Sequence, residues 1–146
     1  MKKKMQTLKF LNHQLKFVVD LLSGELPIKQ ARSRNRFLHL LTPRLKELED
    51  ERNKIILAKC DKSEDGKPLT EEKDGQKSYK FSNNTWLDVQ KELTDLFNEN
   101  LVIDVTPANE EDIKIVKEII FNSDKTLAFQ ETEIYELVAK QFEELA

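Results

Sequence analysis

Set on a helix that turns about 100° per residue, residues 28–60 gather Ala31, Phe37, Leu38, Leu40, Leu41, Leu45, Leu48, Ile55 and Ile56 into one broad arc. Lys29, Arg32, Arg36 and His39 fall opposite most of that arc. The pattern predicts a long helix with one face in a core and a basic stripe facing outward. Pro43 lies within it, and proline removes a helical hydrogen bond and crowds the preceding turn. Either Thr42 caps a second helix that begins at Pro43, or one helix bends with Pro43 on its solvent side. The apolar phase is the same before and after Pro43, which favours a single kinked helix. Arg34 and Arg52 interrupt the apolar arc. Each either reaches past its edge to a partner within the fold or anchors another molecule.

Elsewhere the periodicity alternates between short strands and helices. Leu8 and Phe10 alternate with polar neighbours and predict a strand at residues 5–10. Asn12 is placed to cap a helix bearing Leu15, Val18, Val19 and Leu22, which Ser23-Gly24 ends. Asn83 or Asn84 starts a helix predicted to bury Trp86, Val89, Leu93, Leu96 and Phe97. Leu101-Val102-Ile103-Asp104-Val105 is the strongest strand signal in the chain. A helix from about Asn109 follows, with Ile113, Val116, Ile119 and Ile120 inward, ending at Asn122-Ser123-Asp124. Thr126-Leu127-Ala128-Phe129 echoes Thr7-Leu8-Lys9-Phe10 and predicts a third strand before a last helix carrying Ile134, Leu137, Val138, Phe142 and Leu145.

These elements define an α+β fold, predominantly helical, with about five helices around one long kinked helix. A small three-stranded sheet would form from residues 5–10, 101–106 and 125–129. Residues 1–146 are expected to form a single domain. Within it, residues 61–82 lose apolar periodicity and collect Gly66, Pro68 and Gly75 among charges, which predicts a charged surface excursion or hairpin. Asp74-Gly75 would be its turn.

Charge changes the picture more than composition does. Net charge is only −3, yet residues 1–60 hold 14 Lys or Arg against 6 Asp or Glu, for +8, and residues 61–146 hold 10 against 21, for −11. The two halves are expected to fold together and neutralise facing surfaces, unless the basic half serves nucleic acid or an acidic partner. Apolar runs fall short of the ~20 residues a membrane span needs, so no membrane association is expected. The charged start Met1-Lys2-Lys3-Lys4 leads into no apolar signal core. A single cysteine, Cys60, excludes an internal disulfide and agrees with a reducing compartment. The expected setting is cytoplasmic.

Catalytic chemistry is not apparent. Three widely spaced glycines make no phosphate loop, and His13, His39 and Cys60 share no ligand or nucleophile spacing. An enzyme is not expected, nor a cofactor. Asp61, Ser63, Asp65, Gly66 and Glu72 match calcium-loop positions 1, 3, 5, 6 and 12. Pro68 stands where a branched apolar residue belongs, and Lys73-Asp74-Gly75 spoils the exit helix, so the match is weak and no metal is expected. Nucleic acid is an alternative partner, with Lys29, Arg32 and Arg36 joining Lys2, Lys3 and Lys4 at phosphates. No aromatic residues interleave with that stripe.

Lys29-Gln30-Ala31-Arg32-Ser33-Arg34-Asn35-Arg36-Phe37, followed by a leucine-rich acidic helix through Glu49-Asp50-Glu51-Arg52 and by Leu101-Val102-Ile103-Asp104-Val105, resembles a family of small uncharacterised proteins encoded by phages and prophages of Gram-positive bacteria. Thr42-Pro43 departs from the uninterrupted helix usual there. The resemblance implies the cytoplasm of an infected bacterium and assigns no active-site residue. The expected function is therefore non-enzymatic protein–protein binding through Lys29, Arg32, Arg34, Arg36 and Arg52, for example inhibition of a host machine such as a defence nuclease. Alternatives are a virion or assembly component, and an RNA- or DNA-binding accessory protein.

Overall fold

The computed structural model describes residues 6–82 and 84–145. The expected phosphate contacts at Lys2, Lys3 and Lys4, and the candidate cap Asn83, lie outside the described residues. The chain forms two compact units, one of residues 1–45 with 99–146 and one of residues 46–98.

In the first unit, β1 (Thr7–Leu11) pairs antiparallel with β4 (Asn100–Asp104), Lys9 standing opposite Val102. Alternation decides which face is buried: Leu8, Phe10 and Ile103 are inside, while Lys9 and Val102 are out. The chain then passes through a 3-10 turn into α1 (Leu15–Leu21), which buries Leu15, Val18 and Leu21. Asn12 does not cap this helix. Instead the Gln14 side chain accepts from the Leu11 N–H at 3.0 Å, and the Asn12 side chain accepts from Arg44 Nε at 3.4 Å.

The long helix α2 (Ile28–Lys59, 32 residues) runs through Pro43 as one element. Pro43 is exposed, so water can serve the His39 carbonyl that loses its helical donor. The Thr42 hydroxyl turns back to the Leu38 carbonyl at 2.7 Å rather than capping a new helix. Ser33, Phe37, Leu41, Leu48 and Ile56 are its buried positions, a narrower stripe than the arc drawn from sequence. Leu40 is 40% exposed.

α4 (Glu110–Phe121) buries Ile113, Ile115, Val116 and Ile120, and α5 (Phe129–Glu143) buries Val138, Ala139 and Phe142. The Phe142 ring lies 6.0 Å from both Phe10 and Phe37, so α5, β1 and α2 meet at three aromatic rings.

The expected third strand at residues 125–129 does not form, and the sheet has two strands. Ala128 is extended and its N–H donates to the Glu131 carboxylate at 3.0 Å, so the segment opens α5 instead of joining an edge. Phe129 becomes the first residue of that helix and is 81% exposed. Leu137, expected inside, is 54% exposed. The expected fold class therefore stands as α+β with a long helix, but without a three-stranded sheet.

The second unit holds the latter part of α2, a hairpin of β2 (Thr70–Lys73) and β3 (Gln76–Tyr79), and α3 (Thr85–Phe97). Asp74 and Gly75 close the hairpin with φ of 53° and 80°. That left-handed pair is what a two-residue turn between twisted strands requires. All eight strand residues are exposed. Leu48, Ile56, Cys60, Val89 and Leu96 form the buried apolar set of this unit. Trp86, expected inside α3, is 45% exposed, and Leu87 is 62% exposed. Both sit in the first helical turn, ahead of the stripe led by Val89.

Candidate functional site

A cleft of about 590 Å³ opens in the second unit. Ile56, Phe81 and Trp86 supply apolar surface, and Arg52, Lys73 and Lys77 supply positive charge, with Glu71 as the acidic residue of the lining. Tyr79 adds a further half-exposed ring.

The walls are held by short-range chemistry. The Asp61 backbone N–H donates to the Lys80 carbonyl at 2.8 Å, and the Asp61 carbonyl accepts from Leu69 at 2.8 Å, which closes the base of the hairpin. The Asp61 carboxylate accepts from the Ser82 N–H at 3.1 Å and from the Ser82 hydroxyl. The Ser82 carbonyl in turn accepts from the Thr85 hydroxyl at 2.6 Å. Asn84 takes a left-handed φ of 64° at the entry to α3. These contacts tie Ser82 to Asp61 and to Thr85, and the Phe81 and Trp86 rings stand 5.1 Å apart and tilted by 45°.

Arg52 follows from its helix. Leu48 and Ile56 lie one turn on either side and are buried, while Arg52 is exposed and lines the cleft with no ion pair among the described residues. Its place in the apolar arc thus reflects an opening beside the core rather than an internal ion pair.

Arg34 has the opposite fate. Its Nη1 donates to the Leu22 carbonyl at 3.2 Å and to the Gly24 carbonyl at 2.5 Å. Lys125 Nζ reaches the Asp20 carbonyl at 2.9 Å and the Ser23 carbonyl at 2.6 Å. The two cations close the carbonyl end of α1, where helix carbonyls lack partners and the dipole favours positive charge. Arg34 therefore has acceptors within its own unit, as the internal reading of its place in the apolar arc expected.

Lys29, Arg32 and Arg36 are exposed and come together on a second cleft of about 470 Å³, with Glu111 and Asp112 of α4 in the same lining. Arg36 Nη1 lies 3.5 Å from the nearly buried Asp112 carboxylate. Arg36 is thus met within its own unit by the acidic first turn of α4, while Lys29 and Arg32 share only the cleft lining with it. Arg44 and Glu99 repeat the theme at 3.3 Å.

The calcium-loop positions do not converge. Asp61 is committed to Ser82, and Glu72 stands on β2 opposite Lys77. The Ser63 hydroxyl donates to the Asp65 carboxylate and holds its pKa below the usual value. Among the described residues no group of three or more His, Cys, Asp or Glu is placed to hold a metal ion. No described helix is long and apolar enough to cross a membrane.

The cleft of the second unit was only partly visible in the sequence, through Arg52. Lys77, Tyr79 and Phe81 recur every second residue after the Asp74-Gly75 turn, and that period-two signal marks one side of a hairpin. The approach of Trp86 carries no local signal at all. No family model matches the chain, and neither does a curated protein or a solved structure.

Proposed function

We propose that this protein is a non-enzymatic binding module that grips an acidic, apolar segment of another protein in the cleft of residues 46–98. One observation carries the proposal: half-exposed Trp86 and Tyr79 share a cleft with Arg52, Lys73 and Lys77. Trp, Tyr and Arg dominate the energetics of protein interfaces, because large rigid rings bury area at small entropic cost and guanidinium groups pair with carboxylates in two places at once. The lining contains neither histidine nor cysteine.

A short peptide suits the charge distribution better than nucleic acid does. Residues 46–98 hold 10 Lys or Arg and 13 Asp or Glu, for −3, while the cleft lining holds three cations and one carboxylate, for +2, which leaves −5 on the rest of the unit. A polyphosphate chain leaving the cleft would meet acidic surface, whereas a peptide's few carboxylates end where the cations end. The resemblance carried by residues 29–37, 49–52 and 101–105 would set that partner in an infected bacterial cell, where a host machine such as a defence nuclease is one candidate.

Selection of a displayed peptide library on the full chain tests this. Enriched peptides should combine Asp or Glu with Leu, Phe or Trp, and should weaken as salt rises. Trp86→Ala should cost about 2 kcal/mol of binding, or about thirtyfold in Kd, and Arg52→Glu should abolish it. Enrichment that is equal on the Arg52→Glu variant would sink the proposal. So would failure of every peptide while single-stranded oligonucleotides bind at physiological salt, which would assign the cleft to nucleic acid.

A further inference from the structure

The two edges of the β1–β4 sheet are treated differently. The Gln6 carbonyl accepts from the Val105 N–H at 2.8 Å and the Glu99 carbonyl accepts from the Asn12 N–H at 2.8 Å. With the observed register, bonded pairs therefore fall at every second residue. Thr7, Lys9 and Leu11 on one strand, and Asn100, Val102 and Asp104 on the other, turn their backbone groups outward.

Two donors of the β1 edge are taken by side chains. The Lys9 N–H donates to Gln141 Oε1 at 2.9 Å and the Leu11 N–H donates to Gln14 Oε1 at 3.0 Å. Along β4 the Asn109 side chain donates to the Asp104 carbonyl at 2.9 Å. The outward N–H and C=O groups of Asn100 and Val102 have no hydrogen-bond partner among the described residues. All three outward residues of β4 are exposed, and Val102 is 49% exposed despite being β-branched and apolar. An open edge of this kind is a template for a further strand.

We propose that a second copy of this chain fills that edge, with β4 pairing antiparallel to β4 of the other copy about a two-fold axis at Val102. This register overlaps all five residues of the strand and satisfies the outward groups on both copies. Val102 meets Val102 of the other copy, exchanging two backbone bonds, and Leu101 meets Ile103. Asn100 meets Asp104 twice by symmetry, so an amide donor faces a carboxylate on each side of the axis. A two-residue shift towards the end of β4 would instead centre the pairing on Ile103, leaving Asn100 opposite a residue beyond the strand. A further shift would set Asp104 against Asp104. The strand is thus complementary to itself in one register, as an isologous interface requires. The product is a continuous four-stranded antiparallel sheet, where a two-stranded sheet is marginal on its own.

Sedimentation equilibrium of the full chain tests the pairing. A concentration-dependent dimer is expected. Val102→Lys sets two ammonium groups face to face on the axis and should raise the dimer Kd roughly tenfold or more. The helical circular dichroism should stay unchanged, because that residue makes no bond to β1. Asn100→Lys should tighten the dimer by supplying a cation to Asp104, and Asn100→Asp should loosen it. A wild-type chain that stays monomeric at all soluble concentrations overturns the proposal. So does a dimer whose Kd is the same in both Asn100 variants, which decides the matter even if Val102→Lys fails to fold.

Discussion

Arg34 donates to the Gly24 carbonyl at 2.5 Å, across the turn that separates α1 from α2. With its second bond to the Leu22 carbonyl at 3.2 Å, the guanidinium serves the C-cap carbonyl of α1, which lacks a helical donor, and a carbonyl two residues beyond it. Hydrogen bonds to charged groups contribute more than neutral ones. Arg34→Ala is expected to cost about 2 kcal/mol in urea unfolding, and Arg34→Lys, which lacks the planar fork, to recover part of it. Lys125→Ala combined with Arg34→Ala should cost less than the sum, because both cations hold the same turn. A loss in Arg34→Ala within error of zero would show that water serves those carbonyls equally well.

Asp61 is the expected keystone of the cleft. Its carboxylate takes both the N–H and the hydroxyl of Ser82, which is next to Phe81 and four residues before Trp86 in the cleft lining. Asp61→Ala should destabilise the chain by about 1–3 kcal/mol. It should also lower the fluorescence anisotropy of Trp86, the single tryptophan of the chain. Unchanged anisotropy would mean that α3 alone orients the ring.

Pro43 sits inside α2 on its exposed side. A proline in a helix interior removes a backbone bond and is about 3 kcal/mol poorer than alanine, partly offset by its smaller entropy when unfolded. Pro43→Ala should therefore raise stability by about 1–2 kcal/mol, read as a higher melting temperature. A lower melting temperature would show that a bend at this point is required by the packing around it.

Tyr135 supplies a pH dependence. Its hydroxyl donates to the Ile120 carbonyl at 3.2 Å. Burial raises the phenol's pKa above 10.0, and the nearby Glu136 and Glu143 carboxylates raise it further. The neutral phenol is thus favoured by folding. Its contribution is complete below the unfolded value near 10.0 and is lost as pH rises through the higher folded value. Stability should fall in that alkaline window, and less steeply in Tyr135→Phe. Equal slopes in the two proteins would remove Tyr135 as the cause.

The sequence by itself determined what depends on neighbours along the chain. The phase of Phe37, Leu41, Leu48 and Ile56 specifies a long helix, and it carries through Pro43 because the proline lies on the exposed side, where water can serve the freed carbonyl and the buried stripe is untouched. Asp74-Gly75 specifies a hairpin because few other pairs accept two left-handed residues in succession. Tertiary structure decided whatever depends on which groups meet at long range. Thr126-Leu127-Ala128-Phe129 has strand composition, yet Glu131 takes the Ala128 N–H and the chain turns into α5. Arg34 and Arg52 break the same apolar arc, and nothing local separates them. One finds the bare carbonyls that end α1, and the other finds a cleft between helix and hairpin. An arginine's role depends on which acceptor lies within reach of its long side chain, and only the folded backbone sets that distance.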